Sequence, residues 1–147
     1  MKLTIKTQVE QDYLTVKNGF DASLFKKLSP PFPPVKLLRF DGSKKGDLVS
    51  LELNFLVFKQ TWTSEITEDQ TNENEFYFVD EGIKLPFFLK SWRHKHRIIQ
   101  SGDQSIIRDE IQYKAPFGLL TWLLYPAMLL QFAYRIPVYK KIFKRNA

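Results

Sequence analysis

The segment that most constrains the fold of this chain is an almost wholly apolar stretch near the C-terminus, Phe117 to Phe132. It is shorter than the ~20 residues that a membrane-spanning helix usually needs, and it is interrupted by Pro126 and closed by Gln131. We therefore predict a helix of a soluble domain rather than a membrane span, with a helix lying in a membrane interface as the intermediate case. Pro116 suits the first turn of this helix. A helix this apolar needs an apolar surface to pack against.

The N-terminal part of the chain predicts one strand followed by two short helices. The apolar positions of residues 3–9 recur every two residues, which indicates an opening strand with one apolar face. Asp21 can cap a short helix, and Gly19 separates it from a shorter helix before it. The proline-rich stretch 29–34 then ends the helical region and crosses to the next strand.

Most of the remaining chain predicts strands joined by turns. Turn residues occupy 41–47, 71–74 and 101–104, and Pro86 marks a break or bulge. Six strands are predicted here: Val35 to Phe40, Leu48 to Lys59, Gln60 to Glu68, one beginning with Glu75 to Asp80, one through Trp92 and His96, and Ser105 to Lys114. Strands joined by hairpins form antiparallel sheets, and such a sheet supplies the surface that the C-terminal helix needs.

The predicted fold class is therefore α+β. We expect residues 1–147 to form a single domain, in which a curved seven-stranded antiparallel sheet has two short helices after its first strand. The long C-terminal helix would cover the concave side of this sheet, and a cavity of roughly a few hundred Å³ would lie between them.

Both histidines of the chain lie in one alternating segment, which is the best candidate for a functional site. Residues two apart in a strand point to the same side of the sheet. One face therefore carries Trp92, His94, His96 and Ile98, and the opposite face carries Arg93, Lys95 and Arg97. The face with the apolar and imidazole side chains is predicted to be the inner one, where buried polar groups need partners.

Two acidic residues are predicted to meet the histidines on this inner face. Asp109 alternates with Ile107 and Ile111, and Asp80 follows Phe78 in the same phase. A histidine paired with a carboxylate is oriented and kept basic, as a general base or a ligand anchor requires. A buried network that only ties neighbouring strands together is the structural alternative.

Several kinds of chemistry are not indicated by the sequence. The chain has no cysteine, which excludes disulfides and thiolate sites. His94, His96 and one carboxylate could share a metal, but no further ligand is evident, so we expect no metal and no cofactor. No phosphate-binding glycine loop or nucleophile elbow is present.

The net charge of +6 comes from 22 basic and 16 acidic residues, and the basic excess is concentrated in Lys90 to Arg97 and Arg135 to Arg145. No nucleic-acid-binding motif accompanies this charge, so we interpret it as solvated surface and expect no nucleic-acid partner. The alternating residues 1–9 are unlike a signal peptide, which predicts a cytoplasmic protein.

The aromatic content is high, with 13 Phe, 6 Tyr and 3 Trp. Rings at this density fill a core or line a cavity, and they favour a pocket for a flat or greasy molecule. Together with the polar cluster they define the predicted ligand-binding residues: Trp62, Phe78, Asp80, Trp92, His94, His96, Asp109 and Tyr113.

The C-terminal helix is apolar on more than one side. The side predicted to face the sheet carries Leu120, Leu123, Leu124, Ala127, Leu130 and Tyr134. The side predicted to face outward carries Leu119, Trp122, Pro126, Leu129 and Phe132. Exposed apolar surface of this kind usually marks a contact, which could be a homodimer, a membrane surface or another partner. The basic tail that follows would suit an anionic membrane, with Lys140, Lys141, Lys144 and Arg145.

Several short segments, in this order along the chain, resemble those of one known superfamily. They are Phe25 to Pro30, Phe40-Asp41-Gly42, Gly46-Asp47, Trp62 to Ile66, Phe78-Val79-Asp80, Trp92 to His96, Asp109 to Tyr113 and Tyr134-Arg135. With this element order, the chain resembles the START-like superfamily of polyketide cyclases, birch-pollen-allergen-like proteins and lipid-transfer domains. Within it, the chain is most similar to the small bacterial ligand-binding SRPBCC branch.

This resemblance implies the helix-grip fold and a small hydrophobic or lipid-like ligand in a cavity between the sheet and the C-terminal helix. It transfers no catalytic residues, because the superfamily has no shared catalytic motif. The alternative function is a cyclase-like or dehydratase-like enzyme. Such an enzyme would use His94 or His96 with Asp80 or Asp109 as general acid and base.

Overall fold

The computed structural model describes residues 1–145 of the chain. Its elements are β1 (Lys2–Val9), α1 (Tyr13–Asn18), α2 (Ala22–Lys27), β2 (Val35–Phe40), β3 (Leu48–Asn54), β4 (Lys59–Thr71), β5 (Glu75–Lys84), β6 (Ser91–Ser101), β7 (Gln104–Lys114), α3 (Gly118–Ala133) and α4 (Arg135–Ile142). Asp21 caps α2 as predicted, because its carboxylate accepts the N–H of Leu24. The predicted order of strand, two short helices, strands and C-terminal helix is confirmed.

All seven strands belong to one sheet, in the order β1-β7-β6-β5-β4-β3-β2. Every neighbouring pair is antiparallel. β1 pairs with β7 over its whole length, from Lys2 opposite Gln112 to Val9 opposite Ser105. The first strand therefore lies directly beside β7, which pairs on its other side with β6.

One turn of the sheet was not predicted. The segment predicted as a single strand from Leu48 to Lys59 contains a tight turn between β3 and β4. The backbone reverses at Leu56, which has φ of 74°, and the side chain of Asn54 accepts the N–H of Leu56 at 2.9 Å. The turn is made of large apolar residues instead of the usual Gly, Pro or Asp, so the sequence gives no turn signal there.

The C-terminal helical segment has a break that the sequence did not predict. The break lies at Tyr134, between α3 and α4. Because Pro137 has no N–H, it cannot donate to the carbonyl of Ala133. Pro116, which we predicted in the first helical turn, lies before the helix, which starts at Gly118.

This segment meets the criteria for a membrane-crossing helix by length and composition. Within residues 1–145, Gly118–Ile142 is the one helical segment that does so, with 25 residues in α3 and α4 together and an 18-residue apolar window of mean hydropathy 1.2. Core helices of soluble domains can meet the same criteria. Only 17% of this apolar window is buried, so most of its surface lies uncovered.

The face of α3 that packs on the sheet differs from the predicted one. The buried residues are Thr121, Met128 and Phe132, although Phe132 was predicted to face outward. Four residues predicted to face the sheet are instead exposed, namely Leu123, Ala127, Leu130 and Tyr134. Trp122 and Leu129 are exposed as predicted. A helix that is apolar on every side has no unique phase in its sequence, which explains the error.

The core consists of two apolar clusters with a polar layer between them. One cluster contains Val9, Ile98 and Ile107, and the other contains Ile5, Trp92 and Ile111. Each of the strands β1, β6 and β7 contributes one of these residues to each cluster. Between the two, the strand carries inward-facing polar residues: Thr7 on β1, His94 and His96 on β6, and Asp109 on β7. The two histidines, Asp109 and Thr7 therefore form a single buried polar layer across three neighbouring strands.

Candidate functional site

Strand β6 positions both imidazoles on the inner face of the sheet. The exposed fraction is 6% for His94 and 1% for His96, while Arg93, Lys95 and Arg97 are half-buried on the outer face. The predicted phase of β6 is confirmed.

Ion pairs on the outer face hold the register of this strand. Arg97 pairs with Glu75 on β5 and with Glu110 on β7. A slip of one residue would break these pairs and turn the histidines outward.

The register of the neighbouring strands brings the predicted acidic residues to the histidines. Asp80 on β5 lies opposite His94, and Asp109 on β7 lies opposite His96. Asp109 is almost fully buried, with 1% of its side chain exposed, whereas Asp80 retains 16%. Asp80 therefore forms the accessible border of the cluster.

One carboxylate oxygen joins both histidines. Asp109 Oδ1 lies 2.7 Å from His94 Nε2 and 2.7 Å from His96 Nδ1. On its other side, His94 Nδ1 lies 3.0 Å from Asp80 Oδ2. Asp80 Oδ1 in turn accepts the indole N–H of Trp92 at 2.9 Å. The five residues form one continuous hydrogen-bonded chain.

The two histidines have opposite protonation preferences. Burial disfavours the charged form of His94, but the charges and hydrogen bonds of Asp80 and Asp109 outweigh burial and raise the pKa of His94 to about 9. Burial dominates at His96, and the pKa of His96 falls below its ordinary value despite the attraction of Asp109. We therefore assign His94 as an imidazolium and His96 as a neutral imidazole at neutral pH.

Asp109 stays ionised in this environment. Burial opposes its charge, but contacts with the two imidazoles hold the pKa of Asp109 well below its ordinary value. With these states, His94 donates to both carboxylates. His96 donates its Nδ1–H to Asp109, which leaves His96 Nε2 as an acceptor.

Sequence reasoning missed two members of this layer. Arg135, the first residue of α4, places Nη1 at 4.0 Å from Asp109 Oδ1, and Tyr139 is fully buried one helical turn further on. The charge pattern alone predicts Arg135 as part of the solvated basic stretch Arg135 to Arg145. Phe132, Arg135 and Tyr139 are spaced so that they lie on one face of a helix. If Phe132 had been predicted to face the sheet, this spacing would have placed Arg135 and Tyr139 beside it. With Arg135, two cations balance two carboxylates.

Four polar atoms of this layer are buried without a hydrogen-bond partner among the described residues. They are Thr7 Oγ1, His96 Nε2, Asp109 Oδ2 and the hydroxyl of Tyr139. Burial raises the pKa of Tyr139, with the charge of Asp109 adding to the effect, so this hydroxyl remains a donor. An unpaired buried polar group costs about 1–3 kcal/mol. The layer therefore offers a donor and several acceptors to a small polar group.

Aromatic rings pack tightly around the polar layer. Phe20 and Phe78 contact the ring of His96, with centroid distances of 4.5 and 5.0 Å. Trp62 packs edge-on against Trp92 at 4.7 Å. The predicted residues Phe78, Trp62 and Trp92 therefore lie beside the cluster.

The eighth predicted site residue, Tyr113, lies on β7 opposite Trp92, at the border of the cluster. Its hydroxyl donates to the carbonyl of Thr121 at 2.9 Å. Tyr113 therefore fixes the start of α3 to the sheet, and among the described residues its side chain makes no hydrogen bond to the histidines.

The structure shows no cavity lined by the histidines among residues 1–145, and the rings of Phe20 and Phe78 pack against His96. Residues 1–145 form two depressions that are not lined by His94, His96, Asp80 or Asp109, although the first includes the predicted residues Trp92 and Tyr113. One, of about 320 Å³, is bordered by outward-facing residues such as Glu81, Arg93 and Gln112. The other, of about 150 Å³, lies beside Glu10 and Lys140. The large rings that we predicted as cavity lining instead pack against one another.

The same layer contains the ligand types of a metal site. Atoms of His94, His96 and Asp109 lie within 4.8 Å of one another, and His94 is supported by a second carboxylate, as in many metal sites. However, both ring nitrogens already lie at hydrogen-bond distance from the same oxygen, and the Arg135 guanidinium approaches that oxygen. This geometry suits bridging protons better than a further cation.

Comparisons with known proteins match the fold rather than the sequence. No protein-family model matches this chain, and no curated protein matches it by sequence. Protein Ms6760 from Mycobacterium smegmatis is similar in structure, with a TM-score of 0.71 and 15% identity over 99% of this chain and 92% of that one.

Two further solved structures are similar over most of their length. The Zhui aromatase/cyclase from Streptomyces sp. R1128 gives a TM-score of 0.66 at 14% identity, over 93% of this chain and 89% of that one. A START superfamily protein from Mycobacterium smegmatis gives 0.67 at 10% identity, over 96% and 98%. Identities this low establish a shared fold and carry over no residue roles.

Proposed function

We propose, on the basis of the helix-grip fold that this chain shares with START-like proteins, that it binds a small hydrophobic or lipid-like molecule between the sheet and α3. The proposed site is a groove formed by the inner faces of β2, β3 and β4. It lies beside the polar layer, since Trp62 of β4 contacts Trp92 of that layer.

The observation that carries this proposal is an apolar inner surface that stays partly uncovered. On β6 and β7 the inward-facing side chains are buried. On the other half of the sheet, the inward-facing Leu53 and Ile66 are buried, but five inward-facing apolar residues are only half-buried: Val35, Leu37, Val49, Leu51 and Trp62. An apolar concave surface of this kind favours a greasy ligand.

The polar layer would then anchor the polar end of the bound molecule. Asp80 has the accessible carboxylate, and it is held by Trp92 and His94. A ligand hydroxyl or amine that reaches Asp80 would receive a charge-assisted hydrogen bond. This combination of a greasy groove and one fixed polar group is typical of small-molecule sites.

A binding titration with a hydrophobic fluorescent probe tests the proposal. Leu51→Asp would place a charge in the groove, and we expect it to weaken probe binding at least about tenfold. Leu38→Asp is the matched control, because Leu38 lies at a bulge of the neighbouring strand and is 47% exposed. Unfolding curves of both variants confirm that they are folded. Equal affinity of the two folded variants would contradict the proposed groove.

The second candidate function is a cyclase-like or dehydratase-like enzyme. It is favoured by the neutral His96, whose Nε2 is free to accept a proton, and by the aromatase/cyclase activity named for one protein of similar fold. His96→Gln separates the two functions. A binding protein would keep ligand affinity within a few-fold, whereas an enzyme would lose most turnover while still binding its substrate.

The outer face of α3 is the proposed contact surface for a homodimer or a membrane. Trp122, Leu123 and Leu130 are 70%, 65% and 71% exposed. Apolar patches of this size on soluble proteins usually have a partner. The cytoplasmic location remains our proposal as well.

A further inference from the structure

A second exposed apolar surface lies at one end of the sheet, away from the polar layer. At the turn between β3 and β4, Leu56 is 80% exposed and Val57 is 89% exposed. The loop between β5 and β6 adds Phe87, and the crossover before β2 adds Phe32, at 65% and 57%. With Phe58, we call these five residues the apolar tip.

Ring contacts join the loops of the apolar tip into one surface. Phe58 contacts Phe87 at 5.8 Å. Phe55 beneath them contacts Phe32, Phe58 and Phe88, at 6.4, 5.1 and 5.8 Å. The N–H of Phe87 also donates to Gln60 Oε1 at 3.1 Å, which ties the two loops together. The tip is therefore a built structure rather than a set of independent loops.

The turn that displays the tip holds a strained backbone. Leu56 adopts φ of 74°, a left-handed conformation that is unfavourable for a bulky side chain. Three hydrogen bonds fix it: Leu56 N–H to Asn54 Oδ1, Val57 N–H to the Phe55 carbonyl, and Phe55 N–H to the Phe58 carbonyl. The result is that the two most exposed apolar side chains of the tip project into solvent.

Basic residues predominate at this end of the molecule, and a nearby carboxylate, Glu52, lies opposite Lys36 and pairs with Lys59 at 3.6 Å. Exposed lysines stand at the ends of the strands that border the tip: Lys36, Lys59, Lys84, Lys90 and Lys114. The segments that form this end, 28–38, 53–64, 82–93 and 111–121, contain no Asp or Glu. Acidic residues cluster instead at the opposite end, with Glu10, Asp12, Glu68, Asp69 and Glu73. The chain therefore presents a charge asymmetry that would orient it toward an anionic surface.

We propose that this end docks on an anionic lipid bilayer. The apolar tip enters the boundary between headgroups and acyl chains, and the lysines contact anionic headgroups. An anionic membrane has negatively charged headgroups at its surface and hydrocarbon beneath them. The apolar tip and the lysines that border it match these two layers. The start of α3 leaves from the same end and adds Phe117 and Leu119, which are 60% and 68% exposed. This docking is independent of what the groove binds.

Sedimentation or flotation with vesicles tests the proposal. We expect the full chain to bind phosphatidylcholine vesicles with about 30 mol% phosphatidylglycerol in low salt, and to bind pure phosphatidylcholine at least about tenfold more weakly. Raising the salt to about 0.5 M should release it. Failure to bind the anionic vesicles in low salt would overturn the proposal.

Matched variants locate the contact. Lys84→Gln/Lys90→Gln/Lys114→Gln should weaken binding at least about tenfold, because each lysine near an anionic surface contributes to affinity. Lys140→Gln/Lys141→Gln/Lys144→Gln removes the same charge from the tail, and this variant should change the affinity for vesicles less than about twofold. Equal loss in both triple variants would overturn the proposal, since attraction would then depend on net charge alone.

The apolar contribution has its own pair of variants. Leu56→Ser/Val57→Ser should weaken vesicle binding at least about tenfold, whereas Leu14→Ser, at a 48% exposed residue on α1, should have little effect. Light scattering of the same proteins supplies a further outcome. A dimer that dissociates on Leu56→Ser/Val57→Ser, with unchanged vesicle binding, would assign the tip to a second copy and overturn the proposal.

Discussion

At the scale of single residues, the central feature is the oxygen Asp109 Oδ1, which lies 2.7 Å from a nitrogen of each histidine. The sequence predicted this meeting correctly, because polar residues on β6 and β7 interrupt otherwise apolar inner faces. It did not identify Arg135, because the contact of this residue with Asp109 depends on the buried face of the C-terminal helix, which was predicted wrongly. The alternation of inward-facing and outward-facing residues identified His94, His96 and Asp109 on the strands. The apolar helix has no such pattern to identify Arg135.

The protonation of His94 makes stability depend on pH. Its pKa is about 9 in the folded protein and about 6.5 when unfolded, so its stabilising effect is complete below pH 6.5 and is lost as pH rises through 9. We expect the free energy of unfolding to fall by roughly 3 kcal/mol over this range. His96 acts in the opposite direction, because its lowered pKa favours unfolding as pH falls below its ordinary value.

Urea unfolding at a series of pH values measures this dependence. Stability should be highest near pH 6.5 and should decline on the alkaline side. In His94→Gln the alkaline decline should disappear, and the variant should be less stable than the wild type below about pH 9, because Asp80 and Asp109 lose their cation. An unchanged alkaline decline in this variant would show that His94 is not the group responsible.

At the scale of elements, the strands were easier to predict than the helix. Residues of β6 and β7 alternate between buried and exposed, so their phase is readable from sequence. α3 has no polar face, and its buried side was therefore predicted wrongly. The turn at Leu56 was missed for a related reason, since its residues are as apolar as the strands that it joins. Sequence patterns do not predict which residues are exposed where apolar residues lie on the outside of the protein.

The corrected phase of α3 is tested by two substitutions. Phe132 is 5% exposed and packs against Trp92 with a ring distance of 5.9 Å, so Phe132→Ala should destabilise the protein by about 3–5 kcal/mol. Leu130, which is 71% exposed, should tolerate Leu130→Ala within about 0.5 kcal/mol. Thermal or urea unfolding compares them. If Leu130→Ala were instead the more destabilising of the two substitutions, Leu130 would face the sheet, as the sequence predicted.

At the scale of the whole molecule, the sequence predicted the fold, but it did not predict where apolar surface remains uncovered. Element order and hairpin turns specify a sheet gripping one helix. Whether large rings line a cavity or fill it depends on how they pack, and here Trp62, Trp92 and Phe132 pack on one another. The uncovered apolar surface instead lies on the inner faces of β2 to β4 and on the outside of α3. Ligand binding in that groove is the central claim.

Native mass spectrometry of the freshly purified full chain tests this claim most directly. If the groove binds a hydrophobic or lipid-like molecule, the folded protein should carry a discrete additional mass, or should acquire one when incubated with a mixed lipid extract. Denaturation should release that mass, and Leu51→Asp should prevent its binding while Leu38→Asp leaves it intact. A folded protein that has only its bare mass under both conditions would contradict the proposed function.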